Sequence, residues 1–145
     1  MNMRQMYETQ ADREKNAQLA DDFGRALGFA LDIAPKACLF DYWVLTPIGQ
    51  YGIAEMRIRS CEKEKHDTLF FSATKWKYLT QTADRFKAPF FLVVRWTNGQ
   101  GYLLWRGQKF GKTFGGRSQM NMRDSYDQEA LIQIPIGEFQ PFHNK

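Results

Sequence analysis

The sequence predicts a single α/β domain over residues 1–145, with a mixed central β-sheet flanked by helices. Three observations predict it. An amphipathic helical period lies near the start of the chain, alternating strand patterns follow in pairs joined by turn residues, and a second helical period separates those pairs. The composition agrees, because 43% hydrophobic and 15% aromatic residues can build one packed core and do not describe a disordered chain. No apolar run reaches the ~18 residues of a membrane-spanning helix, so no membrane partner is expected.

Taken in order, Glu8 to Ala30 reads as the first helix. Leu19, Ala20, Phe23, Ala26, Leu27 and Ala30 recur at three- and four-residue steps. Gly24 and Gly28 weaken it, and Pro35 forbids continuation. Lys36 to Leu45 is predicted as a strand, Thr46 to Gln50 as a turn, and Tyr51 to Arg59 as the returning strand. In that second strand Ile53, Glu55, Arg57 and Arg59 share one face, while Ala54, Met56 and Ile58 share the other. Cys61 to Thr68 is a charged connection, and Leu69 to Phe71 a brief apolar run that extends the sheet. Ser72 caps a helix to about Phe86 whose buried face carries Trp76, Leu79 and Ala83. Phe90 to Thr97 and Gly101 to Trp105 flank Asn98-Gly99, a preferred hairpin pair. Residues 109–130 read as a mobile basic loop or an arm, carrying Lys109, Lys112, Arg117 and Arg123. Leu131 to Ile136 is a last strand, and Phe139 to Phe142 is expected to pack back on the core.

Several chemistries are disfavoured. Cys38 and Cys61 lack a zinc spacing and are too few for a disulfide framework. His66 and His143 have no partner pattern for a triad or a metal site. GKTFGG and GRALG lack the GxxxxGK[ST] spacing, so no nucleotide cofactor is expected. Met1 to Arg13 is polar, with neither an apolar secretory core nor an Arg-rich transit character, so the cytoplasm is the expected compartment. The net charge of +4 permits a polyanion partner without requiring one.

One cluster carries chemistry. Asp41 lies on the first strand of the first hairpin and Glu55-Met56-Arg57 on the second, so the turn brings the two acids together. Two carboxylates with the Met56 backbone carbonyl would make an oxygen site for Mg²⁺ or Mn²⁺. Such an ion can activate water and polarise a phosphodiester. A structural reading stands beside it, since carboxylate–arginine pairing accounts for Glu55, Arg57 and Arg59 equally well.

The segments PKACLFD, IAEMRIRS, DTLFFSATKWKYL and APFFLVVRWTNGQGYLLW, in this order and spacing, resemble the PD-(D/E)xK nuclease superfamily. Its small phage and prophage nucleases are the most similar in pattern. The resemblance implies a restriction-endonuclease-like fold and a metal-dependent DNA nuclease that leaves a 5′-phosphate and a 3′-hydroxyl. It also implies structure-selective cutting of the junction-resolving kind, a homodimer as one assembly, and the cytoplasm of a bacterial host. In the family pattern Asp41 and Glu55 bind metal, with Glu14 matching a helix acid that assists it in some members. The family's Lys position holds Arg57, which keeps a positive charge but cannot serve as a base near neutral pH. Lys75 would then supply the ammonium group. Arg59, Lys63, Lys65 and Lys77 flank the site as candidate DNA-backbone contacts, which Lys109, Lys112, Arg117 and Arg123 would extend. Trp43, Trp76, Trp96 and Trp105 could stack bases or fill the core. Two other readings stand beside it: a catalytically decayed nucleic-acid-binding module of the same fold, which Arg57 in place of lysine favours, and a phage accessory protein that binds a host protein, with the acidic pair purely structural.

Overall fold

The structure is a computed structural model and describes residues 10–116 and 128–143. Helix α1 (Gln10–Leu27) buries Leu19, Ala20 and Phe23. It stops short of the expected Ala30 because Gly28 takes a φ of +75°, a left-handed turn open to glycine. The Phe29 N–H then donates back to the Gly24 carbonyl at 2.8 Å. The freed chain becomes an edge strand, β1 (Ala30–Ile33), which the sequence reading does not include; the expected helix ends on its first residue, Ala30.

The expected strand from Lys36 shrinks to β2 (Tyr42–Leu45). Pro35 accepts from the Cys38 N–H at 2.9 Å, and the turn so formed occupies the preceding residues. Strand β3 (Tyr51–Ile58) returns antiparallel to β2, as expected, with Tyr42 opposite Ala54. Next come β4 (Thr68–Ser72) and α2 (Ala73–Phe86), followed by β5 (Phe90–Trp96) and β6 (Gly99–Trp105). Ser72 caps α2 as expected, its Oγ accepting from the Lys75 N–H at 3.2 Å. β5 lies parallel to β3, and the long connection through β4 and α2 is what a parallel pair requires.

The basic segment departs most from expectation. Instead of a loop, β7 (Gly111–Gly116) and β8 (Gln128–Pro135) form an antiparallel pair, and β8 pairs with β4. Glycine-rich, cationic composition masked β7 and the start of β8; the expected last strand from Leu131 is the remainder of β8, whose partner β4 is far away in sequence. Arg117 and Arg123 lie outside the described residues. A short strand, β9 (Gln140–Pro141), closes the far edge.

The large sheet runs in the order β1-β2-β3-β5-β6-β9, and β4-β8-β7 form a second sheet. On one face, α1 packs through Leu19, Phe23, Val44, Met56 and Val93. On the other, α2 and the small sheet enclose Ile53, Trp76, Leu79, Leu92 and Ile134. The alternation read along β3 therefore separates two buried faces. Phe139 and Phe142 do pack back, edge-on to Trp96 and Phe23 at ring separations of 5.4 and 5.6 Å. Trp76 and Trp96 are core residues and Trp105 packs against the same core, while Trp43 stays partly exposed.

Candidate active site

The site forms where β2 and β3 part. The Asp41 N–H still donates to the Ala54 carbonyl at 3.1 Å, but the chain before it leaves the ladder. The Met56 N–H would lose its partner there. Asp41 Oδ2 accepts from it at 2.8 Å, so a carboxylate stands in for the missing strand carbonyl. The first acid is thus locked to the neighbour of the second.

Glu55, beside Met56, faces α2 and is completely buried. Lys75, in the first turn of α2, brings its Nζ against Glu55 Oε2, and Arg57 Nη1 lies 2.8 Å from the same oxygen. Oε1 has no hydrogen-bond partner among the described residues. Burial raises the Glu55 pKa to about 7, with the Asp41 charge adding to the rise while Arg57 and Lys75 oppose it. A carboxyl this deep holds its proton close to neutrality unless more positive charge arrives.

Arg57 is held on three sides. Its Nη1 also donates to the Met56 carbonyl at 2.9 Å, and its guanidinium lies 4.7 Å from the centre of the Phe71 ring. Arg59, one pleat further, donates to the Phe70 carbonyl at 3.0 Å. Burial, with Arg57 nearby, pulls the Arg59 pKa down from its usual value.

These groups line or underlie an open cleft of about 550 Å³, with Asp41, Arg57, Arg59 and Lys75 on its walls. Asp12 and Asn16 of α1 and Glu129 of β8 join them, which the sequence reading missed. Glu14 is the corresponding correction. It is exposed, accepts from Gln10 at 3.2 Å and does not line the cleft. Two residues along a helix turn the side chain about 200°, so Asp12 and Asn16 share a face that Glu14 cannot. That i, i+4 spacing was visible, but only the cleft reveals which face matters. Glu129 lay in the segment expected to be a loop.

Of the expected backbone contacts, Arg59 lines the cleft. Lys63 and Lys65 lie on a neighbouring 3₁₀ turn (Lys63–Lys65), and Lys77 is exposed further along α2; these three are outside the cleft lining.

Residues 2–142 match a family described as "Phage putative PDDEXK endonuclease". The chain belongs to this endonuclease family. Among solved structures, it resembles that of Hjc, a Holliday junction resolvase from Archaeoglobus fulgidus, with a TM-score of 0.50 at 15% identity. The alignment covers 87% of this chain and 98% of the other, a likeness of fold. No curated protein sequence matches. In this endonuclease Asp41, Glu55 and Arg57 stand together at the cleft, and Lys75 reaches Glu55 from α2.

Proposed function

We propose that this endonuclease is a Mg²⁺- or Mn²⁺-dependent deoxyribonuclease that hydrolyses phosphodiesters in branched or otherwise non-uniform DNA, in the manner of a junction resolvase. The observation that carries the reading is Glu55, a fully buried carboxylate with an unpartnered oxygen beside Asp41. A buried carboxylate costs stability, and Lys75 and Arg57 offset that cost only in part, because burial still raises the Glu55 pKa. A divalent cation would repay that cost.

The donor set fits such an ion. Glu55 Oε1 has no hydrogen-bond partner among the described residues, and Asp41 commits Oδ2 to the Met56 N–H. The Met56 carbonyl, next in sequence to Glu55, accepts from Arg57 and has a second lone pair to offer. Among the described residues no group of three or more His, Cys, Asp or Glu could hold a metal. Two carboxylates completed by a carbonyl and water suit Mg²⁺ or Mn²⁺ better than zinc. When bound, the ion supplies Lewis acidity to the scissile phosphate and lowers the pKa of water.

The chain's own residues do the rest. Arg57, stacked on Phe71, presents a planar fork to non-bridging phosphate oxygens and stabilises charge gathering on phosphorus. Lys75 favours the ionised form of Glu55, against its burial, and offers its ammonium to phosphate or attacking water. Asp41 fixes β3 against β2. Water adds across the P–O3′ bond, leaving a 5′-phosphate and a protonated 3′-hydroxyl. A homodimer would place two such sites on opposite strands, and the cytoplasm of a phage's bacterial host is the compartment consistent with this activity.

The decayed-binder reading draws on Arg57 in the lysine position. Lys75 against Glu55 supports catalysis instead, since an ammonium group is present beside the buried acid. Cleavage of supercoiled plasmid and four-way-junction DNA, with Mg²⁺ or Mn²⁺, tests the choice. Cutting lost in both Asp41→Ala and Glu55→Ala supports the nuclease. Metal-indifferent DNA binding without cutting overturns it.

A further inference from the structure

The cleft does not end at Arg59. Arg59 and Phe70 also line a second pocket, of about 260 Å³. Its apolar lining comes from Leu69, Trp96 and Ile136, and its polar lining includes Lys63 and His66. Glu62 is the acid in this lining. Phe70, at the open position of the buried–open alternation of β4, is about half exposed. Lys63 is drawn to the same place, its Nζ 5.7 Å from the centre of the Trp96 ring.

We infer that this pocket takes one unpaired nucleotide of the DNA strand that runs through the cleft, next to the scissile phosphate. The inference rests on the DNA-nuclease reading above and deepens it. A nucleobase is flat, apolar on its faces and attached to an anion. The pocket offers a flat ring in Phe70, an apolar lining, and the cations of Arg59 and Lys63 for the attached phosphate. Its volume has room for a single base. Continuity matters most: Arg59 belongs to both cavities, so one guanidinium can hold the phosphate that joins the nucleotide in the pocket to the one in the cleft. Capture of an unpaired base would make cutting favour DNA that is already unstacked, because a paired substrate must first pay to expose one.

The test compares a paired duplex with a duplex carrying unpaired nucleotides beside the cut site, the unpaired base being 2-aminopurine. Binding is read with Ca²⁺ in place of Mg²⁺, and cleavage with Mg²⁺. Phe70→Ala removes the stacking face, and Ile136→Trp fills the pocket from the side away from the cleft. The expected result is about tenfold weaker binding of the unpaired substrate by Phe70→Ala. In both variants the preference over paired duplex and the 2-aminopurine fluorescence change should disappear. Circular dichroism and thermal melting establish that each variant is folded. If both folded variants bind and cut the two substrates in the wild-type ratio, with the fluorescence change intact, the pocket inference is overturned and the nuclease reading stands. If the wild type neither binds nor cuts DNA, the underlying reading fails and this inference with it.

Discussion

Glu55→Gln should stabilise the metal-free protein, and the gain should grow with pH. Glu55 is completely buried, and its pKa lies at about 7 against an ordinary 4.5. Below pH 4.5 the carboxyl is protonated in the folded and unfolded chain alike, and it contributes nothing. As pH rises towards 7 the unfolded chain releases the proton while the folded chain keeps it, so folding becomes progressively less favourable. Above about pH 7 the folded form is ionised too, and the penalty is complete. The interval between those two values corresponds to roughly 3 kcal/mol at full development and to roughly 1 kcal/mol near pH 5. Glutamine matches the shape of the protonated carboxyl and does not titrate. Lys75 and Arg57, both partly exposed, can turn their charges to solvent when Glu55 is neutralised. The assay is urea unfolding of wild type and Glu55→Gln in EDTA from pH 5 to pH 8. The two stability curves should diverge by roughly 2 kcal/mol across that range. Parallel curves, or a variant less stable at pH 8, would show that the two cations fully compensate the buried charge. The argument for a cation-seeking acid would then fall.

Other expectations follow from the same geometry. Added Mn²⁺ should raise the melting temperature of the wild type at pH 7 and leave Glu55→Gln unchanged, since only the ionised carboxylate pair holds the ion; calorimetry in two buffers should also detect proton release on binding. Asp41→Ala should lose cleavage and also cost about 1–2 kcal/mol in urea unfolding, because the Met56 N–H loses its acceptor. Asp41→Asn, which still offers a carbonyl oxygen, should recover most of that stability without recovering cleavage. Lys75→Met should push the Glu55 pKa higher still and reduce single-turnover cutting by roughly 10²-fold or more, with the pH–rate profile displaced to higher pH. Gly52→Ala should destabilise by about 1–3 kcal/mol, because a Cβ there would lie 2.7 Å from the Pro89 carbonyl oxygen; a melting temperature equal to wild type would contradict the tight β3–β5 approach.

The sequence by itself determined the parts governed by short-range rules. Period-two alternation put Glu55 and Arg57 on one face of β3, Ser72 announced the start of α2, and Asn98-Gly99 marked the β5–β6 hairpin. The family resemblance supplied the mixed fold and pointed to Asp41 and Glu55, and residues 2–142 match that family. What the sequence could not hold was pairing between distant segments. The helical period runs on to Ala30 and leaves β1 unseen because one glycine at Gly28 reverses the chain, and local periodicity does not register a reversal. β7 and the first residues of β8 looked like a basic loop, while the rest of β8 was expected as the last strand; β8 is held by β4, which lies far back in the chain, and β7 pairs onto β8. Only the folded chain shows Asp41 replacing a strand carbonyl, Lys75 arriving at Glu55 from another element, and Asp12 rather than Glu14 facing the cleft. Burial decides the chemistry in the same way. A glutamate in a strand can be a surface charge or a buried acid titrating near neutrality, and the difference is made by α2 and the small sheet closing over it.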